Sequence, residues 1–239
     1  MTKKFNFWGL SISSGQSHIG PAHASEDIRN YFSVLNKIGI EFIEYSLTGN
    51  IHGMPLSILL NLNGVAGRHF PWIKNYLLPQ NLIYIGIRDI DPFEHKILQE
   101  LKIKYYSARD VKKYGMISVA SEIYGICQNH PLHISFDIDS ISPEFAPATG
   151  LLVPNGLNPF DLEILGETFS RHQQISSMDI VEINPFIGND EDVFKTNIAA
   201  INFVRSIFCQ GRTINYGGFY DDNRRANKAR YSAQMESCS

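Results

Sequence analysis

The chain has 239 residues, 44% of them hydrophobic and 19% charged, with a formal net charge of -3. Twenty-one basic residues set against twenty-four acidic ones leave no electrostatic footprint for nucleic acid or an anionic membrane. No apolar run approaches the roughly eighteen residues of a membrane span. The three cysteines, Cys127, Cys209 and Cys238, have no paired spacing, which argues against a zinc knuckle or a secreted disulfide framework. These features predict a soluble, cytoplasmic globular protein.

Short apolar runs alternate with helical stretches, the pattern of βαβ units around a parallel sheet. Phe5–Leu10 reads as a first strand, followed by a Gly/Ser-rich turn. A helix near Ala24–Lys37 carries Ile28, Phe32 and Leu35 at helical spacing, and Ile40–Tyr45 is a second strand. Leu56–Leu62 reads as a short buried helix after the turn at Gly53 and Pro55. Leu82–Ile87 is the strongest buried strand, followed by an acidic turn and a helix over Pro92–Leu101. Lys104–Ser107 is a short strand, Ile117–Gln128 a helix and Leu132–Asp137 another strand. Asn158 as N-cap and Pro159 in the first turn open a helix to about Ser170. Ser177–Ile183 is the last strand. A helix over Glu191–Phe208 places Val193, Ile198, Ile201, Val204 and Ile207 on its apolar face. From Gln210 onward the chain is polar, basic and aperiodic. This divides it into one α/β domain over 1–209 and a tail over 210–239.

Acids gather where strands end: Asp89 and Asp91, then Asp137 and Asp139, then Asp179 and Glu182. Open parallel sheets bind ligands just beyond the carboxyl ends of their strands. On an extended strand Asp137 and Asp139 would face one side, with Cα atoms roughly 6.6 Å apart. Two like charges so close need a cation or a raised pKa, and an oxygen-rich pair suits manganese or magnesium. The simpler reading is a solvated turn, since Asp is common where strands stop. Arg88 could neutralise Asp89 and Asp91 at the surface, and His52 lies in a turn that could be purely structural.

Ser135-Phe136-Asp137-Ile138-Asp139, followed by Pro143, Phe145, Pro147 and Ala148-Thr149-Gly150, resembles the strand-end signature of the arginases in the ureohydrolase family. Met178 to Pro185 is similar to that family's final-strand motif. Tyr84 to Pro92 with Glu94, and Gly49 to Pro55, resemble arginases rather than the agmatinase branch. The resemblance implies a three-layer α/β fold with a mainly parallel sheet, and hydrolysis of L-arginine to ornithine and urea. It implies two manganese ions that share a bridging hydroxide, with Asp137 and Asp139 as metal ligands. Glu182 would orient the guanidinium and His52 would carry a proton to the leaving amine. Ser46, Thr48 and Asn50 would grip the substrate α-carboxylate, while Asp91 and Glu94 would face its α-amino group. A homo-oligomer, or association with an arginase paralogue, is the implied assembly.

Two further metal motifs of the family are missing from the sequence: a Gly-Gly-Asp-His strand end and an Asp-x-His-x-Asp strand end. Ile40–Tyr45 runs almost directly into Ser46, where the family has a helix and two strands. Four of the six metal ligands that the resemblance implies are therefore missing. An unchanged sheet with two empty interior slots is not credible, because buried unpaired backbone groups cost on the order of 1–3 kcal/mol each. The neighbouring strands close up, another chain fills the gap, or the sequence is a splice or gene-model variant. The alternative function is a non-catalytic arginase-like protein that binds arginine weakly or joins oligomers.

Overall fold

The computed structural model describes residues 55–209. The expected strands over Phe5–Leu10 and Ile40–Tyr45, the helix over Ala24–Lys37 and the tail over 210–239 lie outside these residues. The chain divides into two compact units, and the described parts are 55–83 with 90–104 in the first, and 84–89 with 105–209 in the second.

In the first unit, α1 (Pro55–Leu59) and α2 (Val65–His69) flank a short 3-10 turn at Leu62–Gly64. The short buried helix expected over Leu56–Leu62 stops at Leu59 instead, and none of its residues is buried. Asn61 and Asn63, both at φ 53, and Gly64 at φ 73 take the left-handed region and turn the chain there. Helix α3 (Pro92–Glu100) begins at the expected residue, and its N-cap is Asp91, a role the sequence reading did not give it. Asp91 accepts hydrogen bonds from the backbone N–H groups of Phe93 and Glu94, and Glu94 accepts one from Asp91 N–H. This capping box satisfies N–H groups that the first helical turn leaves without partners.

Strands β1 (Ile83–Ile87) and β2 (Lys104–Ser107) pair with each other. Two helices follow where one was expected, α4 (Ala108–Tyr114) and α5 (Met116–Cys127). The overlooked signal for α4 is Ser107 with Asp110 three residues later, a second capping box. Gly115, at φ 80, separates the two helices.

Strand β3 (Leu132–Asp137) runs parallel to β4 (Ile175–Val181), in a register that sets His133 opposite Ser177 and Ser135 opposite Asp179. Strand β4 begins and ends earlier than the expected Ser177–Ile183. It stops because Glu182 adopts φ 65, and Ile183 then forms an isolated antiparallel bridge to Thr149. Among the described residues the strands form two separate pairs rather than one continuous sheet.

The core of the second unit lies between β3, α5, α6 (Pro159–Phe169) and α7 (Asp190–Phe208). Phe136 of β3 stacks against Phe203 of α7, with ring centroids 4.5 Å apart. Met116, Val119, Ala120 and Ile123 of α5 and Leu162, Leu165 and Phe169 of α6 are all buried. Gly166 allows α6 and α7 to approach closely, since a Cβ there would lie 1.7 Å from Ser206 Oγ. The buried face of α7 differs from the apolar stripe expected from sequence. Ile198 and Ile207 are buried with Ala199, Ala200 and Phe203, whereas Ile201 is 44% exposed. The small residues that admit α6 decide the contact face, so total hydrophobicity is a poor guide to it.

Candidate acidic site at the end of strand β3

Three segments of the second unit meet beyond β3: its own C-terminal turn, the tip of β1, and the residues after β4. Strand β3 ends at Asp137, and the chain turns at once through a 3-10 segment, Ile138–Ser140. Asp137 and Asp139 are therefore not two residues of one extended strand, as the sequence spacing suggested. A turn draws them together, and Asp137 Oδ1 accepts a hydrogen bond from Asp139 N–H at 3.1 Å. Ser140 Oγ donates to the Asp137 carbonyl at 2.7 Å and tightens the same turn.

Both carboxyls are half-buried, and both are harder to ionise than an ordinary aspartate. Asp137 is pushed up to about 7, mainly by burial, with the charges of Asp139 and Glu182 adding to it. Asp139 is shifted the same way, first by burial; the charge of Arg88 opposes the shift and that of Glu182 adds to it. An arrangement of this kind lowers the cost of receiving a cation, because a cation removes the repulsion that raises the pKa. Glu182 stands next to this pair in an uncommon conformation. A positive φ in a non-glycine residue costs free energy and tends to occur at functional positions.

Arg88 leaves β1 half-buried and points toward the turn rather than neutralising Asp89 and Asp91 at the surface. Its Nη2 donates to the Asp139 carbonyl at 2.5 Å and to the Val153 carbonyl at 2.8 Å, while Nε donates to Val153 at 3.1 Å. Burial lowers its pKa, and the charges of Asp139, Asp137 and Asp89 work against that shift.

The other sequence-nominated residues fall elsewhere. Ser46, Thr48, Asn50 and His52 lie outside the described residues. Asp91 and Glu94 belong to the first unit, where they form the cap of α3. Asp179 does not end its strand; it lies within β4, hydrogen-bonded to Ser135 Oγ at 2.6 Å and 3.1 Å from His133 Nε2. His172 is a buried structural residue, with Nε2 on the Cys127 carbonyl and Nδ1 accepting from Gln174 N–H.

Among the described residues, no three His, Cys, Asp or Glu side chains come together as a group able to hold a metal ion. Asp137 and Asp139 fit two of the oxygen ligands of one hard divalent ion, which ordinarily takes about six. They fall short of the donor set for a two-ion centre.

A parallel β3–β4 pair with carboxylates beyond its end, packed on helices, defines an α/β fold of the arginase kind, and comparison with known proteins assigns the family. The arginase family model matches residues 41–209. The chain is 34% identical to rat mitochondrial arginase-2 over 202 residues, covering 81% of this chain and 56% of that protein. It is 35% identical to the arginase of Schizosaccharomyces pombe over 168 residues, covering 69% and 51%. Its fold matches the arginase of Entamoeba histolytica, solved in complex with L-ornithine, at a TM-score of 0.61 and 33% identity, covering 69% and 54%. The arginase of Bacillus caldovelox matches at 0.60 and 30%, covering 72% and 56%. This chain belongs to the arginase family, and it spans about half the length of the relatives it matches.

Proposed function

We propose that the chain presents an arginine-directed site of the arginase type, and that its hydrolytic competence depends on groups beyond Asp137 and Asp139. The observation that carries this reading is the half-buried acid pair with Glu182 beside it, on the segment that matches the family. In this reading Glu182 receives the guanidinium of L-arginine, since a carboxylate and a guanidinium form charge-assisted, often bidentate hydrogen bonds. Ser46, Thr48 and Asn50 hold the α-carboxylate through neutral hydroxyl and amide groups. Asp91 and Glu94 face the α-amino group, and His52 moves the proton to the departing amine.

Asp137 and Asp139 would hold manganese, whose chemistry there would be to lower the pKa of water toward neutrality. Two carboxylates bind such an ion loosely. That favours a second reading, a non-catalytic arginase-like protein that binds arginine weakly and associates with its own copies or with a paralogue. Both readings place the chain in the cytoplasm, which cell fractionation checks directly. Among the described residues no helix is long and apolar enough to cross a membrane.

The deciding experiment reconstitutes the purified full chain with Mn2+, measures metal per protein and follows urea release from L-arginine. A ratio of about two ions per chain, lost in Asp137→Ala together with urea release, supports the hydrolase. A folded chain that retains almost no manganese and releases no urea rejects it and supports the non-catalytic reading.

A further inference from the structure

The turn that carries the acid pair is hydrogen-bonded by Arg88 from the tip of β1. Among the described residues Arg88 makes three hydrogen bonds, and all of them go to main-chain carbonyls rather than carboxylate oxygens. Those carbonyls, of Asp139 and Val153, lie at the two ends of the excursion that holds Pro143, Phe145, Pro147 and Ala148-Thr149-Gly150. A single guanidinium fork thereby joins the tip of β1, the turn after β3 and the far end of that excursion.

A second set of contacts marks the same joint. Gly86, two residues before Arg88, has φ 86, and a Cβ there would lie 3.0 Å from Leu157 Cδ1. Leu157 is itself held to the acidic turn: its N–H donates to the Ser140 carbonyl at 2.9 Å and its carbonyl accepts from Ser142 N–H at 2.9 Å. The tip of β1 and the acidic turn are thus tied together by Arg88 on one side and by Leu157 on the other.

We propose that Arg88 is the positioning residue of this site: its fork ties the backbone of Asp139 to that of Val153 and so sets where the Asp137 and Asp139 carboxylates face. Lysine keeps the charge but lacks the planar set of N–H donors that can bridge two carbonyls. Geometry and charge therefore separate cleanly in mutants. Loss of the fork lets the turn drift and weakens cation binding. Loss of charge alone would leave the acid pair more negative and strengthen it.

The metal arm of this inference rests on the reading of the site given above; the clamp itself does not. The test uses the full chain with Arg88→Lys and Arg88→Gln, and with Gly166→Ala as a control that loosens α6 against α7 elsewhere in the same unit. Amide hydrogen exchange over 139–157 is measured without metal, followed by Mn2+ titration monitored by electron paramagnetic resonance. Both Arg88 variants are expected to lose about tenfold in protection over 139–157 while α5 and α6 stay protected. Both are expected to weaken Mn2+ binding by about 10- to 100-fold, the usual cost of removing a residue that orients metal ligands. Gly166→Ala is expected to lower stability and leave Mn2+ affinity unchanged.

Unchanged exchange in Arg88→Gln overturns the proposal. So does full recovery of Mn2+ affinity in Arg88→Lys, or tighter binding in Arg88→Gln, since either result reduces Arg88 to a point charge. If the parent chain takes up no Mn2+, the arginase-type reading fails and the exchange measurement alone decides the role of Arg88.

Discussion

Asp179 within β4 and the Asp137–Asp139 pair where β3 ends have been given opposite surroundings. Asp179, within β4, is 49% exposed and sits between Ser135 Oγ and the ring of His133, which in turn hydrogen-bonds Ser177. Its charge is met by partners in register across β3 and β4, and water screens what remains. Asp137 and Asp139, at the end of β3, are half-buried and repel each other and Glu182. The cation beside them, Arg88, makes its hydrogen bonds to carbonyls instead of to them. The same side-chain chemistry thus serves as a cross-strand fastener in one place and as an under-compensated pair open to a ligand in the other. Partners and burial separate the two roles; residue type does not.

The largest expected effect strikes the acidic turn without touching Asp179. Gly156 packs so closely that a Cβ would lie 2.6 Å from backbone atoms of Ser140, Ile141 and Ser142. Gly156→Ala is expected to lower stability to urea by about 1–3 kcal/mol, the usual cost of overpacking. It should also weaken Mn2+ uptake, because the Asp139 turn has to move. A mutant with parental stability would show that the turn is far softer than its contacts suggest.

A smaller effect follows from the raised pKa of Asp137. Well below the unfolded value of about 4 the carboxyl is protonated in both the folded and the unfolded chain and costs the fold nothing, and near pH 4 the cost is still small. Between the unfolded value of about 4 and the folded value of about 7 the unfolded chain has released its proton while the folded chain keeps it, so the fold loses stability across that window and none further above it. Asp137→Asn keeps the acceptor for Asp139 N–H and removes the charge. It is therefore expected to exceed the parent in stability by about 1–2 kcal/mol at pH 8, a figure discounted for solvent screening, and to match it near pH 4. Denaturation curves at the two pH values check this. Equal stability at pH 8 would mean that solvent or another group already neutralises the pair.

The smallest effect belongs to the fastener. Asp179→Asn and His133→Ala are each expected to cost no more than about 1 kcal/mol, as exposed pairs do, and to leave Mn2+ binding unchanged. A drop in Mn2+ affinity from either substitution would erase the contrast between the two acid groups.

Much of the fold was legible along the chain because the signals are local. The apolar runs of β1 and β3, and the Pro92 and Asn158-Pro159 helix starts, stand where the sequence put them. The Asp137-Ile138-Asp139 motif marked the acidic turn, and its resemblance to the arginases identified the family. The turn geometry of that motif was not legible, because a spacing of two fits an extended strand as well as a tight 3-10 turn. Arg88 could be read only as a neighbour of Asp89, since its real partners are carbonyls 51 and 65 residues further along.

By itself, then, the sequence determined the strand and helix starts, the family and the cluster of acids, all of which depend on neighbours within a few positions. Tertiary structure alone decided which acids stay under-compensated, which face of α7 is buried, and where Arg88 points. These depend on burial and on contacts between segments far apart in the chain, and no short-range pattern encodes either.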